Sequence, residues 1–185
     1  MFKRLSLLIV AMIACGGLWA NSGFDKDIAS LTGNPKAREV AKKNLLAGGD
    51  MAVVAINAKR KRMTGSQRQA AADVLTKMNL DAADVVLADM AMMETSPKAR
   101  RAMLRAVKDL DSEVCRAYLI SKATGKKAVP RNKAIAAIRD MKDPKIIDAL
   151  IADLEEKLAE RRNVEVTLDL NLQQQEQTGW SDYSY

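Results

Sequence analysis

Beyond residue 33, every proline and nearly every glycine falls at the edge of a short segment rich in Ala, Leu, Met, Lys and Arg: Pro35, Gly48, Gly49, Gly65, Pro97, Gly125, Pro130 and Pro144. Proline is tolerated in a first helical turn, where the amide it lacks has no partner, and glycine suits the stop. Between these marks, strong helix formers carry apolar residues at intervals of three and four. The spacing predicts an all-α chain with helices near 35–47, 50–63, 66–78, 82–93, 97–109, 112–123, 130–141 and 144–161.

The segments repeat. Asp50, Asp81, Asp111 and Asp143 are spaced 31, 30 and 32 residues apart, each between two helices and positioned to cap the second. A basic residue followed three positions later by an apolar one recurs with the same period: Arg38 and Ala41, Arg68 and Ala71, Arg100 and Met103, Arg131 and Ala134. Two independent position sets sharing one period predict four helix pairs. Such pairs stack their apolar stripes into one continuous core. The core expected on this pattern comprises Val74, Leu75, Met78, Val85, Val86, Leu104, Val107, Leu119, Ile135, Ile138, Ile147, Leu150 and Leu154.

The stretch PRNKAIAAIRDMKDPKIIDALIADL, Pro130 to Leu154, resembles a HEAT repeat of the bacterial phycobilisome-lyase type. Arg131, Ala134, Ala137, Ile138, Met141, Asp143, Pro144, Ile147, Leu150 and Leu154 stand at the pattern positions, and the resemblance extends over roughly residues 34–160. It implies an α-solenoid of about four HEAT-like helix pairs and an interaction surface, and it implies no lyase chemistry.

The two ends read differently. Lys3 and Arg4 precede a ten-residue segment, Leu5 to Ala14, apolar except for Ser6, and Leu18-Trp19-Ala20 ends in a small residue suited to cleavage. This is the pattern of a bacterial export signal over residues 1–20, too short to span a bilayer. Met12-Ile13-Ala14-Cys15 offers a competing site at which Cys15 would be lipidated as a membrane anchor. Residues 21–33 then read as a linker and 34–162 as the repeat domain. Val164, Val166, Leu168, Leu170 and Leu172 alternate with polar residues, which predicts a β-strand-like extension over 163–172. The polar remainder, 173–185, reads as a disordered tail.

Composition bears most on chemistry. The chain contains no histidine, so histidine bases, Ser-His-Asp triads and histidine-ligated metals are excluded by count. Two cysteines, Cys15 and Cys115, cannot form a four-cysteine zinc site, and Cys115 reads as a small buried hydrophobe. Thr124-Gly125-Lys126 fails as a phosphate loop, because Ile120 replaces the first glycine and Lys127 the Ser or Thr. Asp153, Glu155, Glu156 and Glu160 share one helix without a turn that would converge them. No catalytic, cofactor-binding or metal residues are therefore assigned.

The one candidate site is the basic run Lys59, Arg60, Lys61 and Arg62, within a unit from Asn34 to Thr64 that carries eight basic and two acidic residues. It reads either as a solvated helix end that complements the macrodipole or as a dock for an acidic partner. Nucleic acid is a poor fit, since Tyr118 is the only aromatic between Gly33 and Leu172 and cannot build a stacking platform. The expected function is an exported, periplasmic or secreted, non-catalytic scaffold that binds a protein or peptide. The alternative is a subunit of an extracytoplasmic enzyme that works without histidine.

Overall fold

The computed structural model describes residues 23–179, with side chains described as far as Glu165. The expected leader, its Cys15 lipidation site and the tail from Trp180 onward lie outside the described residues. Nine helices occur among the described residues: α1 (Asp25–Ser30), α2 (Pro35–Ala47), α3 (Gly49–Lys59), α4 (Gly65–Leu75), α5 (Asp81–Met93), α6 (Pro97–Asp109), α7 (Glu113–Ala123), α8 (Ala128–Met141) and α9 (Pro144–Gly179). The described chain divides into two units, 23–143 and 144–179.

The local chemistry of the helix starts is visible in the first unit. Asn34 accepts the Ala37 amide at 2.8 Å ahead of Pro35. Thr64 and Gln67 form a reciprocal box, each side chain accepting the other's backbone N–H, at 3.2 and 2.9 Å. Ser112 accepts the Cys115 amide at 3.3 Å. Three of the four aspartates expected to cap do something else. Asp50 and Asp81 sit within the first turns of α3 and α5, where their charge complements the helix N-terminus, and neither helix has a side-chain cap. Asp111 precedes the true cap residue and pairs with Arg116 at 2.7 Å.

What recurs at these corners is a backbone conformation. Gly49, Asn79, Asp111 and Lys142 all have φ between 48 and 50°, at intervals of 30, 32 and 31 residues. These are the intervals of the Arg38, Arg68, Arg100 and Arg131 series, so one left-handed residue turns the chain between helices in each period. The first two arginines repeat a contact as well. Arg38 donates to the carbonyl of Gly33 at 3.2 Å and Arg68 to that of Met63 at 2.6 Å, each five residues upstream.

Within residues 23–143, helices two apart in sequence pack together. One series is α2 on α4, α4 on α6 and α6 on α8, and the other is α3 on α5 and α5 on α7. Helix α5 also touches α4, α6 and α8, and its sequence explains this centrality. Ala83, Val86, Leu87, Ala88, Met90, Ala91 and Met92 are buried and cover most of its circumference, with Asp89 buried on the remaining side, as a helix packed against several neighbours requires. Helix α6 is the contrast. It buries Ala99, Met103, Leu104 and Val107 on one face and exposes Lys98, Arg101, Arg105 and Lys108 on the other. At the N-terminal side, α1 packs on α2 and α4 through Ile28 and Leu31, in the stretch expected to be a linker. The ring of Phe24 lies where a Cβ on Gly48 would stand, 2.4 Å from it.

Of the expected core, Val74, Leu75, Val86, Leu104, Val107, Leu119 and Ile138 are buried, while Met78, Val85 and Leu150 are half-buried. Ile135, Ile147 and Leu154 are exposed. In α8 the buried face is Ala134, Ala137, Ile138 and Met141, and Ile135 is one helical step off it. The strand expectation for 163–172 is corrected: those residues are helical and belong to α9, which continues through 173–179 of the expected tail. An isolated strand leaves its N–H and C=O groups without a ladder, whereas a helix satisfies them internally. No strand occurs among the described residues, and no proline interrupts the chain after Pro144. Among the described residues no helix is long and apolar enough to cross a membrane.

Candidate functional site

The basic run at the end of α3 divides into two pairs with different roles. Lys59 reaches Asp25 at 2.7 Å and ties α3 to α1. Arg60 lies 2.8 Å from Asp89 Oδ2 on α5 and also donates to Asn57. Lys61 and Arg62, in the turn that follows, are exposed and have no acidic partner among the described residues. Half of the run is therefore structural.

Arg60 belongs to a polar chain that crosses three helices. Tyr118 on α7 donates to Asp89 Oδ1 at 2.5 Å, and Lys122 stands 5.0 Å over the Tyr118 ring. Arg60, Asp89 and Tyr118 are 29 residues apart, so the chain links equivalent places on successive helices. Burial, together with the hydrogen bond to the Asp89 carboxylate, pushes the Tyr118 phenol well above its usual range and keeps it neutral. These residues line a small hollow of about 150 Å³.

The next helix pair contains the strongest electrostatic contact. Arg68 on α4 meets Glu94 through two parallel bonds, Nε to Oε2 at 2.6 Å and Nη2 to Oε1 at 2.9 Å. The Glu94 side chain is 0% exposed and also accepts the amides of Thr95 and Ser96, at 2.9 and 3.0 Å. The Arg68 fork, helped by these amides, holds the Glu94 carboxyl down at about 2 despite its burial. Cys115, buried on α7, points its thiol at the Asp84 carbonyl, 3.2 Å away, and burial pushes it up to about 12. It is a packed apolar group, not a nucleophile.

Two larger hollows open beside the Arg68–Glu94 pair. The first, of about 330 Å³, is lined by Arg60, Lys61, Arg68, Met90, Met93, Glu94 and Thr95. The second, of about 530 Å³, is lined by Thr95, Pro97, Arg100, Arg101, Arg139, Asp140 and Lys142. Thr95 borders both, and Met90, Met93 and Pro97 are their apolar lining; the two adjoining hollows are termed the trough. Seven basic side chains line it against two carboxylates. Glu94 is already committed to Arg68, and Asp140 lies 3.2 Å from Arg100 and 3.3 Å from Arg139.

Arg100 stands out within this wall. Its Nε and Nη2 are shielded from solvent and have no aligned hydrogen-bond acceptor, although Asp140 Oδ2 is within ion-pair distance of Nη2. A guanidinium offers five donors in a fixed fork, and shielded donors without acceptors are costly. Arg101 and Lys142 are exposed beside it with no acidic partner among the described residues. Sequence reading placed Lys61 in a site but passed over Arg101, Arg139 and Lys142, which come from two helix pairs. The one signal available was the periodicity of Arg68 and Arg100, which marked the repeat and not the wall of a trough.

Among the described residues no group of three or more His, Cys, Asp or Glu side chains is placed to hold a metal ion. No family model matches the chain, and comparison with curated proteins and with solved structures finds no match.

Proposed function

We propose that this chain is an exported, non-catalytic scaffold of the HEAT-like α-solenoid kind, which binds an acidic segment of a protein in the trough between Lys61 and Lys142. The solenoid reading is supported by the left-handed corner that recurs at Gly49, Asn79, Asp111 and Lys142 and by the packing of helices two apart. Export rests on the basic, apolar and small-residue succession of the first twenty residues.

The observation that carries the binding reading is Arg100, whose shielded guanidinium lacks aligned acceptors at the wall of a hollow already bordered by Arg101, Arg139 and Lys142. A carboxylate entering there meets charge of the opposite sign, with Arg101, Arg139 and Lys142 exposed to receive it. The apolar floor of Met90, Met93 and Pro97 gives the hydrocarbon part of such a segment a place to lie.

The test is fluorescence anisotropy of a labelled peptide of alternating Glu and Leu, beside a Gln and Leu control. The acidic peptide binds at low salt and weakens as screening increases. The variant Lys61→Glu/Arg101→Glu/Lys142→Glu loses at least about tenfold in affinity. Equal binding by the variant, or equal binding of the uncharged peptide, overturns the reading.

A further inference from the structure

Resting on the trough as a site for acidic segments, we infer that the segment it takes is α9 of a second copy, so that copies of this chain join head to tail. Three observations meet in this assignment. The first is charge: residues 23–143 carry 24 basic and 14 acidic side chains, a net of +10, whereas residues 144–179 carry four basic and eight acidic, a net of −4. Opposite charge on two parts of one chain favours contact between the unlike parts of two copies.

The second is the surface of α9. Ile147, Ile151, Leu154 and Leu158 are between 41 and 55% exposed and follow at intervals of four, three and four, which places them in one stripe along the helix. Asp148 and Glu155, one position beyond Ile147 and Leu154, are exposed along one edge of that stripe. Neither has a basic partner among the described residues. An aliphatic stripe with an acidic edge is the complement of a trough with a methionine floor and a cationic rim, in the manner of a helix laid in a groove. Met93, which lines the trough, is itself 42% exposed.

The third is the charge that each arrangement brings together. The edge of α9 with Asp148 and Glu155 continues to Arg162, so two α9 helices paired on this stripe set Lys157 beside Arg162 when parallel, and Glu155 beside its own copy with Asp148 meeting Arg162 when antiparallel. Docking in the trough sets both Asp148 and Glu155 against Lys61, Arg101 or Lys142. Such a contact joins two different surfaces, so it either closes by reciprocal exchange into a two-fold dimer or continues into rings and open chains.

The experiment is sedimentation velocity on the full chain with two charge-reversed variants, Lys61→Glu/Arg101→Glu/Lys142→Glu and Asp148→Lys/Glu155→Lys. The wild type sediments as a dimer or larger at about 50 mM salt and as a monomer at about 500 mM. Each variant alone stays monomeric, and an equal mixture associates again, because the unaltered trough of the helix variant accepts the unaltered α9 of the trough variant and the two reversed surfaces are complementary as well. Circular dichroism of each variant shows that it is folded. Should either variant lose its helical circular dichroism, the single changes Arg101→Glu and Glu155→Lys replace it in the same mixing test. A wild type that is monomeric at low salt, variants that associate as the wild type does, or a folded pair that stays monomeric when mixed each overturns the inference. A monomer that still binds the acidic peptide overturns only the self-association. A wild type that is monomeric and does not bind the acidic peptide overturns both readings.

Discussion

Residues 23–143 and the helix that follows them are built from similar amino acids and end in different physical states. In the first region, apolar residues meet the faces of neighbouring helices, and α5 buries most of its apolar residues among α3, α4, α6, α7 and α8. In α9, Ile147, Ile151, Leu154 and Leu158 form an equally regular stripe and remain open to solvent. Regular spacing therefore makes a face and does not by itself bury it; burial needs a second face at the right place. The two regions also differ in how polar groups are treated. Arg68 and Glu94 in the first are joined in a shielded fork, while the ion pair of Lys157 and Asp153 on α9 is a solvated contact one turn apart, at 2.6 Å, of the kind that contributes little.

The largest expected effect that separates the regions is removal of Glu94. Glu94→Ala removes both bonds of the fork, leaves the half-buried Arg68 only the Met63 carbonyl as acceptor, and costs about 3 kcal/mol in chemical denaturation. The same substitution at Asp153 is expected within about 0.5 kcal/mol of wild type. A pair of similar costs erases the contrast. Core truncation gives a second comparison. Leu75→Ala, at a fully buried position, is expected to cost about 2–5 kcal/mol, whereas Leu154→Ala on the open stripe, measured on monomer at high salt, is expected below about 1 kcal/mol. A large loss for Leu154→Ala in the monomer shows that α9 is covered by its own chain.

Acid sharpens the same difference. The Glu94 carboxyl is held near 2, below its ordinary 4.5, so the folded chain binds this proton less readily than the unfolded one. Its stabilisation is fully present above about pH 4.5 and is lost as pH falls toward 2, an effect of about 3 kcal/mol. Glu94→Gln flattens that part of the stability profile. An unchanged acid limb shows that the fork does not persist in solution. A smaller effect than these core and ion-pair losses is expected at the first corner, where Gly49 has φ of +50° and open space around the place a Cβ would occupy. Gly49→Ala is expected to cost about 1 kcal/mol from backbone conformation alone, read as a shift in the denaturation midpoint. Gly48→Ala, in contrast, drives against the Phe24 ring and is expected to increase exchange of the α1 amides.

The helices were legible because their ends are written in single residues. Pro35, Pro97 and Pro144 each begin a helix where expected, and Asn34 and Thr64 cap as their chemistry suggests. The period was legible too, although its physical marker differed. The aspartate series drew attention to the corners, while the residues that turn them are Gly49, Asn79, Asp111 and Lys142. Only glycine and asparagine among these advertise a left-handed conformation, and Lys142 gives no such signal. The segment 164–172 misled because alternation fits a strand only when another strand is available to pair with it. The site was half legible. Lys59 and Arg60 look the same as Lys61 and Arg62 in sequence, and only the positions of Asp25 and Asp89 separate the paired from the free. Arg101, Arg139 and Lys142 read as scattered surface charges until α6 and the end of α8 bring them together.

The trough as the binding surface is tested most directly by amide and side-chain chemical-shift mapping of the isotope-labelled chain during titration with the acidic peptide. Perturbations confined to the trough are expected, at Lys61, Met93, Thr95, Arg100, Arg101 and Lys142, with the exposed Arg101 side-chain N–H signals moving as they gain an acceptor and the Arg100 Nε–H signal following the change in its surroundings. Shifts scattered over every basic surface, or an Arg100 Nε–H signal that stays in place while the peptide binds elsewhere, contradict it.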